Sequence, residues 1–315
     1  MMTETRVAVD CGHGFVKALT DQGQRLLGPS LIVPVMEGGD TWGTLDAVKP
    51  DEVQWAGHEA VRYLVGGDAA MQAGSLFSRD KAADVLTRDL TMIAVGRLLE
   101  ASGRVRLGVG VPLAWYPQAR REIPEAWAGI VRVNGQTLTV TQVSVWPQGV
   151  AALLTVLPPN AVPGLYALAD LGYRTTDYLV VEVTAAGQPR LVSEWSGTLE
   201  FGAYHALAEV ARQIEQRWQV TYAPHELAQR SEITVRGQSV SIADMQAAAQ
   251  ARSQQNLMGR LQTVWAPILP RLSALLVVGG GAADWQGETL GTMPVTVAAD
   301  AQWANAQGYL LAMPQ

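Results

Sequence analysis

The sequence predicts an α/β protein built from two related lobes. Two segments carry this prediction, residues 6–17 near the start of the chain and residues 168–182 near its middle. In each segment an apolar strand ends in an aspartate, Asp10 or Asp170, and a turn containing glycine leads into a second apolar strand. Backbone N–H groups converge at such a turn and form a concave anion site, and the aspartate can hold a hydrated divalent cation beside it. Two such units predict two lobes that grip one polyphosphate.

A third segment predicts a surface that a flat ligand can approach closely. Residues 274–283 form an apolar strand that runs into Gly279, Gly280 and Gly281. Glycine allows this close approach because it has no Cβ atom.

These three segments resemble the signature loops of the actin-like ATPase superfamily, which also contains heat-shock chaperone ATPases and sugar kinases. The first phosphate loop of that superfamily reads Asp-x-Gly-x-x-x-x-Lys, and the second reads Asp-x-Gly-x-x-Thr-Thr-Asp. The matching residues here are Asp10, Gly12, Lys17, Asp170, Gly172, Thr175, Thr176 and Asp177. The nucleoside segment of the superfamily is a strand followed by Gly-Gly-Gly or Gly-Gly-Ala, as at residues 279–281.

Five further segments resemble the ParM-type branch of bacterial and archaeal actins. They follow in the expected order at residues 28–31, 53–60, 108–116, 145–149 and 303–309. Gly28 replaces an aromatic residue of the branch pattern, and Gln148 stands where ParM-type relatives often carry Glu and eukaryotic actins carry Gln. In the second phosphate loop, Tyr173 and Arg174 stand where many relatives have glycine. The matches run from Val7 to Tyr309, so the resemblance covers nearly the whole chain.

The resemblance implies an actin-like fold, in which two duplicated RNase H-like lobes surround a nucleotide cleft and each lobe carries a small inserted subdomain. Lobe I is expected at residues 1–160, with an insert at about 28–80. Lobe II is expected at residues 161–315, with an insert at about 222–262. A C-terminal helix over 303–315 should pack back on lobe I.

Local patterns predict the elements of lobe I in order. Residues 7–10 and 15–19 form a hairpin, and residues 84–101 have the apolar spacing of a helix. Residues 105–111 and 138–145 are strand-like, and residues 149–156 are expected to form a helix that ends before two prolines.

The same patterns predict the elements of lobe II. Residues 165–170 and 176–182 repeat the hairpin, and residues 189–195 add a third strand. Apolar residues spaced along 204–218 form one face of a long helix. A short strand pair over 234–240 and an Ala/Gln-rich helix over 242–261 are expected in the insert.

Composition limits the partners and the compartment. The formal net charge of −6 argues against direct binding of nucleic acid through phosphate contacts. Apolar runs are too short to cross a bilayer, and the N-terminus lacks the basic region of a signal peptide. The lone Cys11 excludes an intramolecular disulfide and fits a reducing cytoplasm. A cytoplasmic protein without membrane or direct nucleic-acid contacts is expected.

The resemblance also assigns roles to the residues of the two phosphate loops. Asp10 and Asp170 would hold Mg²⁺ through waters, since Mg²⁺ dehydrates reluctantly. The phosphates of ATP or GTP would bind Lys17 and the backbone N–H groups of Gly12, His13, Gly14, Gly172, Tyr173 and Arg174. Lysine is scarce in the chain, which makes Lys17 more informative than an ordinary surface lysine.

Further candidates surround the γ-phosphate and the nucleoside. Gln148 is expected to orient the attacking water, because an amide can accept from water and donate to a phosphate oxygen; the alternative is a residue that only caps the following helix. Thr175 and Asp177 would lie near the γ-phosphate and the metal, whereas the Arg174 side chain is either a phosphate ligand or a surface group. The nucleoside would lie along Gly279, Gly280, Gly281 and Ala282, with Arg212 and Glu215 as ribose contacts.

Three functions fit the resemblance. The first is a polymerising ATPase that forms homopolymeric cytoskeletal filaments and segregates plasmid or other DNA through a DNA-bound adaptor protein. The second is a non-polymerising ATP-dependent clamp or adaptor of the same fold. The third is a small-molecule kinase, which would need a catalytic base and a sugar-binding segment that residues 78–115 do not offer.

Overall fold

The chain divides into two compact units. A computed structural model describes residues 4–35, 49–67, 84–157, 160–228 and 230–314. Unit 1 contains residues 1–155 and 303–315, and unit 2 contains residues 156–302. Parts of the expected insert at 28–80, namely residues 36–48 and 68–80, lie outside the described residues.

Unit 1 is built on a nine-stranded mixed sheet. The strands follow one another across it in the order β3-β2-β1-β7-β9-β8-β5-β6-β4. Their bounds are β1 Glu4–Cys11, β2 Phe15–Thr20, β3 Arg25–Pro29, β4 Ile32–Pro34, β5 Asp51–Trp55, β6 Val61–Val65, β7 Gly103–Val111, β8 Gly129–Val133 and β9 Gln136–Pro147. Strand β1 pairs antiparallel with β2 and parallel with β7.

Helices cover both faces of this sheet. The helices of unit 1 are α1 Val85–Leu99, α2 Tyr116–Trp127, α3 Leu153–Val156 and α6 Ala304–Ala312. The side chain of Asp84 caps α1 by accepting from the backbone N–H groups of Leu86 and Thr87, which have no partner within the helix. Because side chains alternate along a strand, Val7 and Val9 join the core under α1 and α2, and Ala8 joins the core under α6.

Unit 2 contains a seven-stranded sheet and a separate two-stranded sheet. The large sheet runs in the order β12-β11-β10-β16-β18-β17, and β13 also pairs with β11. Its strands are β10 Gly164–Leu171, β11 Thr176–Val183, β12 Pro189–Leu191, β13 Gly197–Leu199, β16 Leu272–Val278, β17 Thr289–Leu290 and β18 Met293–Val297. The small sheet pairs β14 Glu232–Val235 with β15 Gln238–Ser241.

Two long helices complete unit 2, α4 Tyr204–Trp218 and α5 Ala243–Trp265. Helix α4 buries Ala206, Val210 and Ile214 against the small sheet and the first turns of α5. The second half of α5 instead packs on the large sheet, where Leu261 and Trp265 are fully buried.

The two large sheets share a strand pattern. In unit 1 the order β3-β2-β1-β7-β9 places three antiparallel strands beside two strands that run parallel to β1. In unit 2 the order β12-β11-β10-β16-β18 does the same beside β10. The duplication expected from the two aspartate turns therefore extends to five strands in each unit.

Two expected elements are shorter than their patterns indicate. Residues 149–152 form turns, and only Leu153–Val156 are helical. Gly149 has a left-handed backbone conformation (φ +73°), which is incompatible with a regular helix at that point. The expected strand over 189–195 ends at Leu191 and continues as a 3-10 turn, Ser193–Trp195.

Candidate functional site

The first aspartate turn closes between β1 and β2. Asp10 lies opposite Lys17 in the strand register, and Cys11 lies opposite Val16. The backbone N–H of Gly12 donates to the carbonyl oxygen of Phe15 at 3.1 Å, which closes a four-residue turn.

The second turn, between β10 and β11, has the same construction. Asp170 lies opposite Asp177, and Leu171 lies opposite Thr176. The N–H of Gly172 donates to the carbonyl oxygen of Thr175 at 3.0 Å. The turn has no room for a side chain at Gly172, because a Cβ atom there would lie 2.7 Å from the Thr175 carbonyl oxygen. The two turns therefore share register and closing hydrogen bond.

The carboxylate of Asp10 joins two other predicted site residues. Lys17 Nζ lies 2.8 Å from Oδ2 of Asp10, and Gln148 Nε2 donates to Oδ1 at 3.0 Å. Asp10 is 3% exposed, and the other two residues are 8% exposed. A buried carboxylate stays ionised only when charge and hydrogen bonds compensate for lost hydration, and Lys17 and Gln148 provide both.

The first turn also contacts the segment after β3. The N–H of Ser30 donates to the carbonyl oxygen of Gly14 at 3.0 Å. Ser30 is fully buried, and its hydroxyl has no hydrogen-bond partner among the residues that the structure describes. His13, between Gly12 and Gly14, is partly exposed.

The turn between β10 and β11 is hydrogen-bonded to the N-terminal end of helix α4. The N–H of Ala203 donates to the carbonyl oxygen of Gly172 at 3.3 Å, and the N–H of Tyr204 donates to that of Tyr173 at 2.7 Å. The Tyr173 ring meets the Tyr204 ring edge to face at 5.9 Å. Burial, with a smaller contribution from Tyr204, raises the pKa of Tyr173 from 10.0 to about 12. Arg174, next in the turn, is partly exposed.

Asp170 lies against the glycine segment that follows β16. A Cβ atom on Gly279 would lie 2.6 Å from Oδ1 of Asp170 and from the carbonyl oxygen of Leu171. Gly279 also has φ +93°, so both the lack of space and the backbone conformation require glycine at this position. Gly281 donates its N–H to the Leu171 carbonyl oxygen at 3.1 Å, whereas a Cβ on Gly280 would meet nothing within 4 Å.

Two hydroxyl contacts hold the strand after the second turn. Thr176 Oγ1 donates to the carbonyl oxygen of Phe201 at 2.8 Å, and Thr198 Oγ1 donates to the carboxylate of Asp177. Thr176 and Asp177 are buried, whereas Thr175 is partly exposed.

An open pocket in unit 2 borders these segments. It is lined by Leu171, Gly172, Thr176, Phe201, Gly202, Ala203, Gln250, Ser253, Gln254, Leu257, Gly281 and Trp285. Ala282 is fully buried directly after Gly281. The pocket thus combines part of the second turn, one of the predicted glycines and one face of α5.

Three polar residues of α5 that were not among the predicted site residues also line this pocket. Gln250 Nε2 donates to Oδ2 of Asp284 at 2.7 Å, and Gln254 Nε2 donates to its carbonyl oxygen at 3.0 Å. Each amide nitrogen donates to Asp284, and the Oε1 atom of each amide is an acceptor; Ser253 lines the same pocket. The spacing of positions 250, 253 and 254 on one helix face was the available signal.

Arg212 and Glu215 do not line this pocket. Both are exposed on α4, so their assignment as ribose contacts stays a prediction without support from the pocket.

A cation at Asp10 would have to be held indirectly. Among the described residues, no group of three or more His, Cys, Asp or Glu side chains could hold a metal ion. Both carboxylate oxygens of Asp10 already accept hydrogen bonds from Lys17 and Gln148. A hydrated Mg²⁺, which keeps several of its waters, suits such a donor set better than a directly ligated ion.

No helix among the described residues has the length and apolar character needed to span a bilayer.

Comparison with known families gives one match in each half of the chain. The family of actin-like protein N-terminal domains matches residues 8–150. The family described as the C-terminal domain of archaeal MreB-like actin homologues matches residues 168–290. Both matches are to domains of actin-like proteins, which confirms the resemblance inferred from the loops of the chain. No curated protein matches the sequence.

Solved structures show the same fold over 98% of this chain. Ta0583, an archaeal actin homologue, has 22% identity, is covered over 98% of its length and gives a TM-score of 0.80. Its complex with ADP gives a TM-score of 0.78 at the same identity and coverage. A 15-stranded ParM filament from Clostridium botulinum gives 0.82 at 16% identity, with 99% of its chain covered. The predicted actin-like fold is confirmed.

Proposed function

We propose that this protein binds and hydrolyses ATP or GTP and couples hydrolysis to the assembly of a homopolymeric filament. The observation that carries the proposal is the repeated aspartate turn, which has the same strand register and the same closing hydrogen bond in both units. The actin-like fold supports it, since one protein of that fold is a ParM filament and another was solved with ADP.

The proposed phosphate-binding groups are the two turns and Lys17. The turns offer the backbone N–H groups of residues 13–14 and 173–174 to the phosphate oxygens of the nucleotide, whereas the N–H groups of Gly12 and Gly172 close the turns themselves. Lys17 adds a compact positive charge next to the first turn. Bound Mg²⁺ would supply charge neutralisation at the β- and γ-phosphates, and Asp10 and Asp170 would hold its waters.

Water orientation is assigned to Gln148. Its amide nitrogen donates to Asp10, which leaves the amide oxygen to accept a hydrogen bond from the attacking water. Phosphoryl transfer depends mainly on positioning and charge stabilisation, so a residue that orients water without acting as a strong base suffices.

The nucleoside is assigned to the pocket of unit 2. Gly281 in the pocket lining and the neighbouring Gly280 offer backbone without a side chain, and Gln250, Ser253 and Gln254 line the same pocket with polar groups. Both ribose hydroxyls and a base amino group can donate to the glutamine Oε1 atoms.

The cellular role is proposed by analogy with the ParM filament. Filaments require head-to-tail contacts that do not close. The net charge of −6 favours an indirect connection to DNA through a bound adaptor protein, in the cytoplasm.

Pelleting in the ultracentrifuge tests this proposal. Purified protein is incubated with Mg-ATP, Mg-GTP, Mg-ADP or no nucleotide, and phosphate is measured in each supernatant. Sedimentation that depends on a triphosphate, accompanied by phosphate release, is expected. Nucleotide binding and hydrolysis without sedimentation at any protein concentration would favour the non-polymerising clamp instead.

A further inference from the structure

The C-terminal helix α6 contacts the turn that contains Gln148. Oδ1 of Asn305 accepts a hydrogen bond from the backbone N–H of Gly149 at 2.8 Å, and Asn305 is 5% exposed. Gly149 has φ +73°, a conformation that a glycine adopts without strain. A side chain from α6 therefore holds the peptide directly after Gln148.

A second contact lies one helical turn further along α6. A Cβ atom on Gly308 would lie 2.1 Å from the carbonyl oxygen of Ala151, so the helix backbone presses directly on the turn. Residues 305 and 308 share a face of the helix. The same face thus holds the turn at Gly149 and at Ala151.

Gln148 itself is fixed on its other side by the sheet. Its backbone N–H donates to the carbonyl oxygen of Val111 at 2.8 Å, and its side chain donates to Asp10 at 3.0 Å. The position of Gln148 therefore depends on β1, on β7 and on α6, although α6 lies more than 150 residues away in the chain.

We propose that Asn305 is a positioning residue for Gln148: through the N–H of Gly149 it sets where the Gln148 amide lies. This inference rests on the proposed function, because it assumes that Gln148 orients the attacking water. Asn305 acts through the turn and does not contact the nucleotide. Asn305 therefore affects the rate of hydrolysis, whereas the affinity for nucleotide depends on the two phosphate turns.

Replacement of Asn305 by alanine separates these two quantities. Asn305→Ala leaves the buried Gly149 N–H without its acceptor, and the turn relaxes to recover a partner. Small displacements of catalytic groups lower rates strongly, so single-turnover phosphate release should fall about 10-fold or more. The dissociation constant for a fluorescent ATP analogue should change less than about 2-fold, since the phosphate turns keep their own hydrogen bonds.

Met313→Ala provides the matched control. Met313 is 3% exposed and packs from the end of α6 onto Gly108 of β7, where a Cβ would lie 3.0 Å from its sulfur atom. Its truncation loosens α6 without removing the contact to Gly149. Both variants are assayed at a temperature where circular dichroism shows them folded. Should Asn305→Ala fail to fold, Asn305→Ser, whose hydroxyl is too short to reach Gly149, has the same expected effect.

The outcomes separate this inference from the proposed function. The positioning role is supported if the Asn305 variant releases phosphate slowly but binds the ATP analogue with wild-type affinity, while Met313→Ala turns over as wild type. Wild-type turnover in the Asn305 variant, or equal slowing in both variants, overturns the positioning role while the proposed function stands. A wild-type protein that hydrolyses neither Mg-ATP nor Mg-GTP overturns the proposed function and this inference with it.

Discussion

Gln148 and Asp10 are joined by a hydrogen bond of 3.0 Å between the amide nitrogen and Oδ1, although 138 positions separate them in the chain. The other oxygen of Asp10 lies 2.8 Å from Lys17. One buried carboxylate thus links the proposed phosphate-binding lysine to the proposed water-orienting glutamine.

Truncation of Gln148 should separate hydrolysis from assembly. Gln148→Ala removes the amide that orients water, and we expect phosphate release to slow about 100-fold. Nucleotide-dependent assembly should persist, because the two phosphate turns are unchanged. Gln118→Ala, at an exposed glutamine of α2, should behave as wild type. Normal phosphate release by the Gln148 variant would remove Gln148 from the mechanism.

Loss of the Lys17 charge should destabilise unit 1. Lys17→Met leaves the buried Asp10 carboxylate without its charged partner, and the free energy of unfolding should fall by about 3 kcal/mol. Lys49→Met, at an exposed lysine, should change it by less than about 0.5 kcal/mol. Urea denaturation measures both. The double variant Asp10→Asn/Lys17→Met should recover part of the loss; strict additivity of the two single effects would contradict the coupling.

Two adjacent glycines should respond differently to alanine. Gly279→Ala places a Cβ atom 2.6 Å from Asp170 Oδ1, at a position whose backbone is left-handed. The free energy of unfolding should therefore fall by about 3 kcal/mol. Gly280→Ala meets nothing within 4 Å and should fold as wild type. If the nucleoside lies along this segment, Gly280→Ala should still weaken nucleotide binding, measured by fluorescence titration. A stable Gly280 variant with unchanged affinity would place the nucleoside elsewhere.

The raised pKa of Tyr173 predicts a stability loss at high pH. The unfolded chain loses this proton near pH 10, whereas the folded protein keeps it until about pH 12. The unfolded state therefore binds fewer protons in this window, and the free energy of unfolding falls as pH rises through it. Tyr173→Phe removes that contribution. Between pH 10 and 12 its stability should decline less steeply than that of the wild type, and parallel curves would contradict the pKa shift.

Much of the fold could be predicted from the sequence because its signals are local. The hairpins around Asp10 and Asp170 combine alternating apolar residues with a glycine turn, and both turns form as expected. Helix α4 follows its apolar spacing from Tyr204 to Trp218. The expected helix over 149–156 was wrong at residues 149–152, because the left-handed Gly149 and the contact with Asn305 hold that segment as a turn.

The assembled site was only partly predictable. The contact between Gln148 and Asp10 depends on how β1, β7 and β9 lie side by side, which no local pattern records. The amides of Gln250 and Gln254 were missed because polar residues on a helix usually face solvent. Only their contacts with Asp284 and their place in the pocket distinguish them from such residues.

Right-angle light scattering of the purified protein, with phosphate release followed in the same sample, tests the central claim most directly. On addition of Mg-ATP or Mg-GTP the scattering should rise and then decay as phosphate appears, whereas Mg-ADP should produce no sustained rise. Scattering that stays flat with every nucleotide across a wide range of protein concentrations, while nucleotide still binds, would contradict assembly into filaments.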